Sequence, residues 1–414
     1  MGNKVKTKII LSHPTGNANV RAVADGFLKI GVLSSFYTCI AIFKDSRLFK
    51  LSGFWFLKEF RRRSFNPKLK SFTKIRPLRE FGRLISQKVG FKMYIKHEKG
   101  IFSVDKVYRD LDKHVAKKLN GVNAIYAYED GALESFKKAK ANGIKCFYEL
   151  PTGYWRAHKK FLGEELIKRP DWAPGFNCFL NSSEKLTRKD EELALADLIF
   201  VASDFTKRTL ELYPENLGSI HIVPYGFPEV SWERSYFNLK NRRLKILFVG
   251  LLSQQKGVAN ILEAMNQLDE KVELTMVGRK SIQNCGLLEN GIKKHTWFPS
   301  LPHNKVIEIM KDHDILLFPS LFEGYGLVIT ESMAQGTPVI TTKRTCGANF
   351  IENGVNGWFV KPGCTNSIVQ KINSILEETE SLEKIGRAAM LTAKALPINT
   401  YGERVARAIK SYMK

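Results

Sequence analysis

Short apolar runs recur along the chain, each followed by a polar, glycine-containing turn and then a stretch with helical spacing. Residues 7–11 predict a strand, Ser12-His-Pro-Thr-Gly-Asn-Ala-Asn the turn, and about 19–31 a helix. The pattern returns with a strand at 124–128, the turn Glu129-Asp-Gly131 and a helix over 132–142. A strand at 145–150 follows, ending in Pro151-Thr-Gly-Tyr-Trp-Arg156 and a further helix. A long charged helix is expected over 182–195, then a strand at 196–203 with a helix cap at Ser203 or Asp204. A second series starts after Arg243, with strands near 244–249, 272–277, 314–318, 338–341 and 357–360. Strand–helix–strand repeats of this kind predict an α/β fold with parallel sheets covered by helices.

A chain of 414 residues exceeds one ordinary core, so two such domains are expected. The predicted division is a first domain over 1–227, a linker over 228–243, a second domain over 244–395, and a last helical segment over 396–414 that returns toward the first domain. Ligands of open parallel sheets sit at the carboxyl ends of the strands. Glu129, Asp130, Thr152 and Tyr154 follow strands and are therefore cleft candidates on the acceptor side. Gly16, with Asn17 and Asn19 beside it, follows the first strand; the two amides either bind hydroxyls or cap the next helix. His13 is expected to be a loop histidine and His158 a surface residue of the helix after residue 154.

The most informative stretch is Phe318-Pro-Ser-Leu-Phe-Glu-Gly-Tyr-Gly-Leu-Val-Ile-Thr-Glu331. A buried strand enters it, Gly324 and Gly326 make the turn, and a helix leaves it from Leu327 to Gln335. A glycine turn lets backbone approach an anion, and the first free N–H groups of the helix point at it. Glu323 and Glu331 flank the turn. Carboxylates repel phosphate, so their natural partners beside such a turn are sugar hydroxyls.

This stretch resembles the Glu-x7-Glu signature of retaining glycosyltransferases of the large GT-B family numbered four. The likeness continues through Ala334-Gln-Gly-Thr-Pro-Val339 and Asn353-Gly-Val-Asn-Gly-Trp-Phe-Val-Lys-Pro-Gly363. It implies two Rossmann-like domains whose parallel sheets face each other across a cleft. It also implies transfer of a sugar from a nucleotide diphosphate sugar, with retention of anomeric configuration, to a glycan or lipid-linked acceptor in surface polysaccharide or glycolipid synthesis. The run Gly250-Leu-Leu-Ser-Gln-Gln-Lys256-Gly257 is similar to the family's diphosphate loop. Lys256 would hold the diphosphate there, while Leu251 stands where the family carries arginine, and Arg279 is the candidate replacement. By the same resemblance Glu323 and Lys256 are the catalytic candidates. Glu331, Gly324, Tyr325, Gly326, Leu327, Gly257, Arg279 and Phe298 are the donor-binding ones, the last from the stretch Trp297–Pro302 that would face the base. The family's donor-touching histidine is absent from Leu150-Pro-Thr152. No metal and no cofactor beyond the donor substrate are expected, because a lysine and a helix start neutralise the leaving group. The competing readings are a GT-B hydrolase or epimerase and a non-catalytic sugar-nucleotide-binding homologue.

The net charge of +24 is concentrated: residues 44–99 hold 17 Lys or Arg against 4 Asp or Glu, interleaved with aromatics from Phe49 to Phe91. Helices are expected around 50–63 and 77–90. That mixture fits an anionic membrane surface, and with no nucleic-acid-binding motif beside it nucleic acid is not the expected partner. The six cysteines form neither Cys-x-x-Cys nor a Cys/His cluster, and the N-terminus lacks a signal-type apolar core. A cytoplasmic protein, peripheral on the inner membrane face, is the resulting expectation.

Overall fold

The computed structural model describes residues 7–43, 45, 63–175, 177–236, 239, 242–281, 285–378 and 381–414. The helix expected over 50–63, apart from Arg63, and Phe49, Phe54, Trp55, Phe56 and Phe60 lie outside the described residues.

Two parallel sheets organise the chain. The first runs in the order Thr73–Ile75, Leu33–Thr38, Ile9–Ser12, Ala124–Tyr128, Lys145–Leu150, Leu198–Val201, Ser219–Ile222. The second runs Thr296–Phe298, Val272–Val277, Leu244–Val249, Ile315–Phe318, Val339–Thr341, Trp358–Phe359. Their central strands, such as Ala124–Tyr128 and Ile315–Phe318, are buried at every position. Helices cover both faces, so an apolar run, not an alternating one, is what these strands require. Register is set by pairs such as Ile9 with Ala124 and Ile246 with Ile315.

In each sheet the strand order reverses beside the domain's first strand. In the second domain Leu244–Val249 lies between Val272–Val277 and Ile315–Phe318. The helices after its two neighbours leave in opposite directions, and a crevice opens at the carboxyl ends. The loops meeting there are Gly250–Gly257 and Pro319–Gly326.

The connections between domains run side by side. The Phe227 N–H donates to Leu396 O at 2.9 Å, and the Ile398 N–H donates back to Phe227 O at 2.8 Å. The last helix, Tyr401–Tyr412, then lies on Ala18–Ile30 of the first domain. A Cβ on Gly402 would stand 1.8 Å from Ala22 O, so only glycine permits this approach. Below the crossing, Glu149 is buried and accepts hydroxyls from Tyr126, Tyr225 and Tyr401, which come from a strand, the crossing and the last helix. Burial raises the Glu149 carboxyl pKa, against the pull of those hydroxyls. The expected linker is no loose tether where it is described: Arg234 donates to Met310 O, Lys311 O, His313 O and Thr337 Oγ1 of the second domain.

Candidate functional site

The glycine turn forms as its residue types dictate. Gly326 takes φ 89°, left-handed, and caps the helix Leu327–Ala334. Ahead of it the Gly324 carbonyl accepts from Ser203 Oγ at 2.8 Å and Thr206 Oγ1 at 2.9 Å, both in the first domain. The same glycine abuts the Pro151–Thr152 backbone. The turn is therefore held between domains, with the Leu327 helix start at the crevice. The Tyr325 side chain points elsewhere. It is buried, and its hydroxyl accepts the Gly226 N–H at 3.0 Å. Tyr325 thus ties the turn to the interdomain crossing, and only its backbone is placed to serve a ligand.

Lys256 ends a short 3-10 turn, Gln254–Lys256, and Gly257 at φ 77° starts the helix Val258–Leu268. This loop is stitched to the glycine turn: the Leu321 N–H donates to Gln255 O at 2.8 Å, and Gln255 Nε2 to Phe322 O at 3.0 Å. Lys256 Nζ consequently forms an ion pair with Glu323, with both side chains mostly buried. The two catalytic candidates hold each other. Glu323 therefore sets where that lysine points.

Glu331 lies one turn into the helix. Burial raises its carboxyl pKa, while His303 Nε2 at 3.9 Å from Oε1 pulls the other way. His303 belongs to the helix His303–Lys311, far along the chain from Glu331, and no motif or spacing links the two. No hydrogen bond to a protein donor occupies the Glu331 carboxylate among the described residues, so its oxygens can accept ligand hydroxyls.

The loop carrying Arg279 runs against the loop carrying Leu251: the Leu252 N–H donates to Arg279 O at 2.8 Å, and Leu252 bridges Lys280. Leu251 and Arg279 are both exposed. Trp297 is committed to structure, since its Nε1 donates to Gly278 O at 2.9 Å, whereas Phe298 stays exposed at the end of its strand.

On the first domain the candidates separate. Of the two amides, Asn17 caps the helix, its Oδ1 accepting the Val20 N–H at 3.0 Å, whereas Asn19 lies within the first turn. The Gly16 N–H donates to His13 Nδ1 at 3.0 Å, so that amide is not offered to a ligand. Glu129 and Thr152 do meet: Thr152 Oγ1 donates to Glu129 Oε2 at 3.1 Å, and Lys189 Nζ lies 2.8 Å from Glu129 Oε1. Asp130 turns instead to Lys185, Arg188 and Lys189, and lines a 410 Å³ cavity between three helices.

One histidine lies in the loop where it was expected and the other is corrected. His13 is a loop residue, buried, with Nδ1 accepting two backbone N–H groups, from Thr15 and Gly16. His158 is not a surface residue: its ring stacks on Phe322 at 4.3 Å. It shares a stripe with Phe161, Leu162 and Glu165, a spacing of one inward helix face that the sequence did contain. Burial lowers His13 to about 3 and His158 to about 4. Both must charge on acid unfolding, so they add stability above the unfolded value near 6.5 that is lost as pH falls from there. At pH 5.5 each should cost about 1.4 kcal/mol relative to neutral pH. Urea unfolding at the two pH values checks this, and His13→Gln should flatten the slope.

Among the described residues no three His, Cys, Asp or Glu side chains gather as a metal-binding group. No helix among them is long and apolar enough to cross a membrane.

Comparison with known proteins fits this geometry. Residues 233–391 match the family described as glycosyl transferases group 1. An uncharacterized glycosyltransferase of Methanocaldococcus jannaschii is 28% identical over 169 residues, covering 38% of this chain and 43% of that protein. The capsular polysaccharide biosynthesis glycosyltransferase CapM of Staphylococcus aureus is 27% identical over 161 residues, covering 37% and 42%. The chain thus spans less than half the length of these two curated relatives. The Anabaena protein Alr3699/HepE, solved in complex with UDP-glucose, superposes with a TM-score of 0.60 at 16% identity over 98% of this chain and 99% of that one. Residues 233–391 are thus similar to the glycosyl transferases group 1 family, and the two parallel sheets facing one crevice have the GT-B fold.

Proposed function

We propose that the protein is a retaining glycosyltransferase that moves a sugar from a nucleotide diphosphate sugar to a glycan or lipid-linked acceptor in surface polysaccharide or glycolipid synthesis. The observation that carries this reading is Lys256 paired with Glu323 at the glycine turn, directly ahead of the helix that starts at Leu327 and bears Glu331 one turn in. The diphosphate would lie between Lys256 and the helix N–H groups, and Glu331 would accept ribose hydroxyls. The anomeric C–O bond breaks, and its electron pair stays on the diphosphate. Lys256 and the helix dipole stabilise that charge as it develops. The acceptor hydroxyl oxygen bonds to the anomeric carbon on the same face, and its proton passes to the leaving phosphate. Glu323 keeps Lys256 aimed, and its second oxygen is available to the donor sugar. Glu323 is taken up by Lys256 at the start of a glycine-capped helix, an arrangement that favours a phosphate leaving group over the paired carboxylates of a hydrolase.

Arg279 would be the second cation of the clamp, since its loop lies against that of Leu251. Arg279→Ala should weaken donor binding about tenfold, the scale of one charge-assisted contact. Adding Leu251→Arg should restore it, which titration calorimetry of both variants reads directly. The reaction itself is tested by following nucleoside diphosphate release and the product anomer by NMR, with and without EDTA. Acceptor-dependent release with the donor's anomeric configuration, unchanged by EDTA, is expected; an inverted product or water as the preferred acceptor overturns the proposal.

A further inference from the structure

The helix Leu78–Val89 is amphipathic the wrong way round for a packed helix. Its inward face holds Glu80, fully buried and paired with Arg63 and Arg83, together with buried Ser86. Its outward face holds Leu78, Phe81, Ile85 and Val89, all exposed, Leu78 at 80%. These recur every three or four residues and so form one stripe along the helix. The stripe continues through the turn Lys92–Ile95 with Phe91, Met93 (73% exposed) and Tyr94, and Ile75 lies exposed before the helix. Lys74, Lys92, Lys96 and Lys99 surround it, all exposed. Over residues 74–99 there are 8 Lys or Arg against two acids: Glu80 is buried in its ion pairs, and Glu98 accepts the Ser182 N–H.

We propose that this helix and the turn after it are a membrane-docking element that lies in the plane of an anionic lipid bilayer. The stripe would enter the headgroup–acyl boundary while the lysine rim meets lipid phosphates. Such a face matches an interfacial helix, with apolar anchors on one side and cations at the edge. A second copy of the chain is a poorer occupant, because a two-fold contact would bring the same lysines together. The strand Thr73–Ile75 is an edge of the first sheet and runs parallel to it, so the helix starts on the carboxyl side where the crevice opens. An acceptor held in the membrane would then reach the crevice without leaving the surface. That consequence rests on the glycosyl-transfer reading; the docking itself does not.

Docking is tested without turnover, by co-sedimentation of the full chain with vesicles of phosphatidylcholine alone or mixed with phosphatidylglycerol. Binding should appear with the anionic vesicles and fall about tenfold in both L78E/I85E and K92E/K96E. Phe91→Trp should show a blue shift of tryptophan emission on the same vesicles. All these positions are exposed, and circular dichroism checks that the variants fold. No binding to anionic vesicles, unchanged binding of L78E/I85E, or a dimer that L78E/I85E dissociates would each overturn the proposal. If vesicle binding holds while no donor is turned over, the docking inference stands and the transferase reading falls.

Discussion

Lys256→Ala is expected to lower kcat for sugar transfer by about a hundred- to a thousandfold, the loss seen when one preorganised donor to a developing negative charge is removed. The expectation follows from where the sequence puts this lysine. Gly257 at φ 77° turns the chain into the next helix and leaves Lys256 at the rim, stitched to the glycine turn through Gln255. Substrate binding should suffer less than turnover, because the leaving diphosphate gains negative charge only as the anomeric bond breaks. Lys256→Arg should recover part of the rate. Glu323 is the internal control: if it aims the lysine, Glu323→Gln should lower kcat less than Lys256→Ala and leave Kd for the nucleotide nearly unchanged. Steady-state kinetics with matched Kd measurements separate the two.

Glu331→Ala is expected to act on the other side of the ledger, weakening donor binding by about ten- to a hundredfold. A carboxylate accepting hydroxyl hydrogen bonds contributes about 1.5–3 kcal/mol. The same group gives a pH signature. Its pKa is raised by burial, and only the ionised form accepts both hydroxyls, so donor affinity should decline as pH falls through that raised value. Glu331→Gln should remove the decline and keep part of the affinity. His303→Ala should move the decline to higher pH, because the attraction that lowers the Glu331 pKa would be gone. Titration calorimetry across the acid range reads all three.

How much of this was legible depends on how local each feature is. The strand Ile315–Phe318, the turn and the helix Leu327–Ala334 were all readable, because apolar run, glycines and helix spacing sit within one short stretch. The strand Leu33–Thr38 was not predicted: Ser34 and Ser35 interrupt its apolar run, and they are only partly buried. The helix Val104–Val115 was missed because its buried face carries Asp105 and Asp112, which bind Arg188 and the Ser135 amide respectively. Asp112 satisfies the first amides of the next helix, a partnership that no periodicity reveals. The site divides the same way. Lys256, Glu323 and Glu331 were all marked by their motifs. The pairings of Lys256 with Glu323 and of His303 with Glu331 are set by the sheet order, which brings distant loops together. On the first domain, Gly16, Asn17 and Asp130 have polar groups suited to a ligand, but their neighbours take them first.

The central claim is that a nucleotide diphosphate sugar binds in the crevice between Lys256 and Glu331. Its most direct test is a thermal-shift screen of the full chain against UDP-, GDP-, ADP- and CDP-sugars, repeated with Lys256→Ala and Glu331→Ala. The account predicts that one donor raises Tm for the natural chain, in EDTA as well, and that each substitution abolishes most of the shift. A shift that persists in both variants, or no shift with any donor, would contradict it.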